Sequence, residues 1–442
     1  MSSNFCEKAP AYKRRAGAAK LLASWFVVGL LTTPWSAWAN DPLRFGEVIS
    51  INGDQLAHLG GYSIERLALL ACRAGACAPI PFQIDERDPA GGWVLDHSVE
   101  QRADVPPGVL DGNATLLFMA ADAGERVGRS EPLGSRPALE IRISDPLSGV
   151  AHWAYLVAFA ESAPRSPIWY VEYDAATDRV RGQRVSLGFH QGLPNYLAVA
   201  GGPGPPGDNL LDRLKVRASA TFLFGLIHFA RNEDDLSTQF AGWRQGPIRV
   251  IRCQRQWVRV GWGIRSPTFG SYTYFYRDFA ELPVGLHLNF RPTYFFGNIV
   301  VRVILDFRDL RGWSVLAPSL PAPVLIDGTM TPEKAALNSF ADTWFALLAP
   351  QVTLVQSMDV SSSLASVRRR LFYREDPAAS DPPEDVAGEQ PGIGYQLDQW
   401  EHVGAGAHAL QSVNYALPPD IDVRRFMAAR AAPLQVEVYV LR

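Results

Sequence analysis

The feature that most constrains this chain is its period-2 patterning. RFGEVISI (44–51), YSIERLALLA (62–71), PIPFQI (79–84), ATLLFMA (114–120), ALEIRIS (138–144) and HWAYLVAFA (152–160) are short apolar or alternating segments, separated by turns such as NGD, AGG and DGN. Successive side chains of a strand point to opposite faces, whereas a helix repeats every 3.6 residues. Strands following one another with no helix between them cannot build a parallel α/β sheet. They predict an all-β sandwich.

ESAPRSPI, residues 161–168, breaks the pattern with two prolines. The expectation is an N-terminal β-sandwich over 40–165 and a larger β-sandwich over 166–442. In the second part the strands lengthen: 214–230, 246–263, 270–279 and 298–307 predict a broad curved sheet. One packed α-helix is expected over 332–349. Thr331 would cap it, Pro332 would open it and Pro350 would follow it, with Ala336, Phe340, Trp344 and Leu347 on one stripe. Residues 375–392 are acidic, proline-rich and aperiodic, and predict a mobile surface loop.

The first 39 residues read as an export signal. Lys13, Arg14, Arg15 and Lys20 precede the apolar run 21–31, and Ala37-Trp38-Ala39 has the small-x-small pattern of a cleavage site. The run is about half of what a bilayer-spanning helix needs, so no stable membrane insertion is expected after cleavage, and the location is periplasmic or secreted. Cleavage would remove five of 42 basic residues and one of 45 acids, leaving 37 against 44 and a net charge of −7. Such a balance excludes a nucleic-acid-binding body. Lys215 and Lys334 are then the only lysines among many arginines, as a GC-rich coding bias would give.

Cys72, Cys77 and Cys253 would survive processing. CRAGAC holds Cys72 and Cys77 five apart across a turn, and in an oxidising compartment they predict a disulfide that fastens a hairpin. A reactive dithiol is the alternative. Cys253 is expected to be a buried thiol. The chain has no CxxCH, CxxC, HExxH, GxSxG or Walker motif. Asp85, Glu86, Asp88 and Asp96, with Asp111 further on, cluster oxygen ligands of the kind Ca²⁺ takes. The spacing fits no EF-hand loop, and solvated turns use the same residues. Calcium is the one cofactor these residues suggest.

Alternation places Tyr272, Tyr274 and Tyr276 on one face of their strand. In 300–308, Val301, Val303, Leu305 and Phe307 form a core face, leaving Arg302 and Asp306 outward. If the two strands neighbour one another, tyrosines, an arginine and an acid share a surface suited to a sugar or another small polar ligand. Ordinary cross-strand pairing on a solvated sheet explains the same pattern. Tyr274 or Tyr276 with His287 are the candidates for acid–base catalysis.

GPIRVIRCQRQWVRVGWG (246–263), the long strands after it, and the ending GYQLDQWEHVGAGAHAL…LPPD…PLQVEVYVL resemble secreted sugar-active and sugar-binding proteins with a galactose-mutarotase-like supersandwich. The resemblance covers at most residues 166–442, and no catalytic motif is matched residue by residue. It implies a carbohydrate-binding or carbohydrate-processing accessory protein. A polysaccharide lyase or sugar epimerase, and a structural subunit of a cell-envelope assembly, are the other expectations.

Overall fold

The computed structural model describes residues 42–441 except 45, 90, 99–107, 129–132, 201–206, 262, 263, 267 and 340. The expected signal segment therefore lies outside the described residues. The protein is all-β, with its strands in five sheets and few helices.

Two sheets form the first layer pair. One has Thr115–Met119 between Val48–Asn52 and Gln83–Asp85. The other runs Gln435–Val440, Ala138–Ser144, Ala151–Ala158, Leu67–Arg73 and Ala76–Pro79. Ile49, Ile51, Leu69, Leu116, Ile141 and Leu156 meet between them in one core. Every residue of Thr115–Met119 is buried because its second face also packs: Leu117 and Met119 meet Ile248 and Tyr276 of the larger part. The chain's last strand returns to this first layer pair, where Val436 pairs with Ile143.

The larger part contains an eleven-stranded sheet, a five-stranded sheet and a four-stranded sheet. In the eleven-stranded sheet, Thr353–Val360, Gly406–Leu417, Phe279–Leu288, Phe269–Phe275, Val250–Gly261 and Leu236–Gln245 lie side by side. The five-stranded sheet is ordered Ile227–Asn232, Leu211–Phe222, Phe296–Phe307, Glu389–Asp398 and Arg368–Asp376.

Two expectations are corrected here. The segment 214–230 is a hairpin, not one strand: Leu211–Phe222 turns at residues 223–226 into Ile227–Asn232. The helix over 332–349 exists only at its start. Thr331 caps it by accepting from the Lys334 amide at 3.3 Å, but the α-helix spans Pro332–Ala336, with a 3₁₀ turn over Leu337–Ser339. Trp344–Leu348 is a buried strand paired with Thr353–Val360 and Ser314–Leu316. A short apolar run satisfies helical and buried-strand patterns alike, and pairing on both edges decides for the strand. Pro350 therefore sits in a hairpin connection. A helix over Val423–Arg430, capped by Asp422, was not anticipated.

Candidate functional site

Cys72 and Cys77 are cross-strand partners and form a disulfide, with Cα atoms 4.0 Å apart. Cys253 is a buried cysteine in mid-strand.

The acidic cluster is engaged by donors of the protein itself. Asp85 is completely buried and accepts from Arg244 and Arg249 at 2.7 Å each, and from Gln83 at 2.8 Å. Asp96 accepts from Arg244 and the Gln245 amide, Glu86 from the Gly108 amide, and Asp88 from the Gly92 amide within its turn. Asp111 accepts from the amides of Asn113 and Ala114. Among the described residues, no group of three or more His, Cys, Asp or Glu could hold a metal ion.

Tyr274 faces this same segment, with Tyr272 stacked beside it, ring centroids 6.3 Å apart. The Tyr274 hydroxyl accepts from the Trp93 indole at 2.8 Å, and the Arg249 guanidinium lies 4.9 Å from the Tyr274 ring and 4.5 Å from Trp93. Tyr276 is buried, stacks on Phe279 at 4.3 Å and accepts from Arg249 at 3.4 Å. Burial pushes the Tyr274 phenol up and the Tyr276 phenol far up, which opposes tyrosinate formation. Burial also raises Glu281, the register partner of Tyr274. The expected tyrosine face is thus a polar clamp between the first layer pair and the large sheet.

The expected shared surface does not form. The tyrosine strand pairs with Val250–Gly261 and Phe279–Leu288, whereas Arg302 and Asp306 belong to the five-stranded sheet. Arg302 donates to Gln396 at 2.6 Å and lies over Phe372, and Asp306 is buried against Lys215 at 2.8 Å. His287 is exposed and sits six residues along its strand from Glu281, about 20 Å from Tyr274 at ~3.3 Å per residue. The Tyr–His pairing is corrected by that separation along neighbouring strands of one sheet.

What the fold does create lies on the opposite faces of these strands. Between the large sheet and the five-stranded sheet is a cavity of about 450 Å³, lined also by residues of the four-stranded sheet. One wall consists of three directly opposed pairs, Leu214 with Leu305, Val216 with Val303, and Ala218 with Val301. All six are only half-buried. The facing wall includes Val258, Phe275, Leu282, Val284 and Leu410. Its polar groups are Gln254, Gln256, Thr273, Gln356, Ser412 and Asn414. Gln356 donates to Ser412 at 3.2 Å. Arg252 fixes Gln254 and is itself held by Asp178 at 2.9 and 2.6 Å. The alternation of residues 301–307 was readable as an inward face. That this face stays partly uncovered was not.

The outer face of the same sheet is charged and lies under the acidic segment. Lys215 is fully buried and pairs with Asp306, with Glu384 at 3.1 Å and with Glu389 at 3.6 Å. Arg217 donates to Asp381 at 3.1 Å, and Arg213 pairs with Asp385. The segment expected as a mobile loop is therefore laid across the sheet by these four ion pairs. Burial, with Glu389 and Asp212 nearby, pushes Asp306 up to about 7 against the pull of Lys215. Lys334 is the second buried lysine, bonded to Asp327 at 2.7 Å and paired with Glu375 at 2.8 Å.

No family model matches the chain, and no curated protein matches it in sequence. Among solved structures, an alpha-mannosidase from Enterococcus faecalis V583 superposes with a TM-score of 0.47 and 8% identity. The superposition covers 89% of this chain and 44% of the mannosidase, so the chain spans less than half the length of that protein.

Proposed function

We propose that the protein binds a molecule carrying a hydrocarbon chain in the cavity between its two largest sheets. The observation that carries this reading is the half-buried aliphatic wall of Leu214, Val216, Ala218, Val301, Val303 and Leu305 around an unfilled volume of about 450 Å³. Small-molecule sites commonly occupy about 300–1,000 Å³ and are lined mainly by apolar groups with a few polar ones. Gln254, Gln256 and Thr273 supply polar partners for an ester, amide or carboxyl end. The Cys72–Cys77 disulfide supports action outside the cytoplasm.

Titration with a fluorescent fatty acid tests the reading. Saturable binding that falls at least tenfold in Val303→Trp, with the fold retained, supports it. Failure of the wild-type protein to bind the probe refutes it.

A sugar ligand is the second reading, favoured by one observation. Tyr272 is half-exposed, with its ring stacked parallel to that of Tyr274, and offers an aromatic ring against which a pyranose could stack. Loss of glycan binding in Tyr272→Ala would support it, and no binding by the wild-type protein across a broad glycan panel would exclude it.

A further inference from the structure

The hairpin that interrupts residues 214–230 ends in an unusual way. Its turn places Leu223, Phe224 and Gly225 at φ of 50°, 57° and 89°. Left-handed positions in hairpin turns favour Gly, Asn or Asp, and a bulky side chain there is disfavoured. The chain nevertheless sets Leu and Phe at two of the three. The result is exposure: Phe224 is 102% exposed and Leu226 82%.

A second tip adjoins it. Phe222 pairs with Phe296 across the sheet, their rings 5.3 Å apart, and residues 293–298 meet 221–225. This tip exposes Phe290, Tyr294 and Phe295. Exposed apolar side chains are ordinary when scattered, but a contiguous group of this kind marks an interaction surface. Its charge points to the partner. Residues 219–231 and 286–298 contain no Asp or Glu and carry His228, Arg231, His287 and Arg291, in a chain with an overall excess of acid. Arg231 pairs with Asp235, and Glu401 accepts from the Ile299 amide next to the second tip, which leaves Arg291 as the cation of the tip itself.

We propose that the two tips dock the protein on an anionic phospholipid bilayer. Phe224, Leu226 and Phe295 enter the acyl boundary, Tyr294 sits at headgroup level, and Arg291 meets lipid phosphate. The strands that carry the tips also line the cavity. Four residues separate Phe222 from Ala218, about 13 Å of strand, so hydrocarbon drawn from the bilayer would arrive at the cavity wall. That last link rests on the ligand reading above, whereas docking itself does not.

Co-sedimentation of the purified protein with phosphatidylcholine vesicles, with and without phosphatidylglycerol, tests the inference. Its comparison is the double variant Phe224→Asp/Leu226→Asp, with its fold checked by circular dichroism. The expected result is stronger binding to the anionic vesicles and at least tenfold weaker binding by the variant, whose fatty-acid probe binding in solution is unchanged. Wild-type protein that stays in the supernatant with both vesicles, or a variant that sediments equally, overturns it. A concentration-dependent dimer abolished by the double variant also overturns it, by making a second copy the occupant. Failure of the ligand reading appears separately, as absent probe binding in both proteins.

Discussion

Lys215→Met isolates the charge network under the acidic segment. The substitution keeps the length of the side chain and removes the ammonium that faces Asp306, Glu384 and Glu389. Breaking a buried ion pair by deleting one partner costs about 3–5 kcal/mol, because the other charge is left buried. The cost should depend on pH. Asp306 is raised in the folded protein to about 7. Its folded form therefore binds an extra proton from about pH 4, the range of an unfolded aspartate, to about 7. This contribution to stability is fully present below that window and is lost as pH rises through 7. Without Lys215 the Asp306 pKa moves higher still, so the variant continues to lose stability above pH 7 where wild type has levelled. Urea unfolding followed by tryptophan fluorescence should give a deficit about 1–2 kcal/mol larger at pH 8.5 than at pH 5.5, one pKa unit being about 1.4 kcal/mol. Adding Asp306→Asn should recover part of the loss. Equal deficits at both pH values, or less than about 1 kcal/mol at each, would refute a dry network.

Other outcomes follow from the same contacts. Val303→Trp should preserve or raise the urea midpoint while weakening fatty-acid probe binding, since it fills a void without disturbing a satisfied polar group. Cys72→Ser/Cys77→Ser should cost about 2 kcal/mol, the chain-entropy value for so short a loop, read as a lower midpoint under non-reducing conditions. Arg249→Met should destabilise by about 3–5 kcal/mol, because Asp85 is buried and loses one of its two guanidinium partners. A chelator should leave the melting midpoint unchanged, because the carboxylates of residues 85–96 are already bonded to arginines and amides. A drop of several degrees would support the calcium reading.

Alternation made the strands legible, because a half-buried strand shows its period along the chain itself. The disulfide was legible for the same local reason, as its two cysteines flank one turn. Pairing between distant strands was not. Tyr274 and Arg302 are separated by fewer than thirty residues, yet they lie on different sheets because Phe296–Phe307 joins Leu211–Phe222 instead of its sequence neighbours. Trp344–Leu348 reads equally well as helix or buried strand until its edge partners are known. The lysines carry a signal of their own. In a chain that otherwise uses arginine, Lys215 and Lys334 persist where a compact ammonium fits a buried nest of carboxylates. The cavity left no local mark, because a valine facing an unfilled space is indistinguishable in sequence from one facing a packed neighbour.

The occupant of the inter-sheet cavity is the central claim, and mass spectrometry of organic extracts from the purified protein tests it most directly. Wild-type protein should yield a chain-bearing molecule in near-equimolar amount, and Val303→Trp should lose it. An extract free of such a molecule, from protein that also fails to bind the fatty-acid probe, would contradict it.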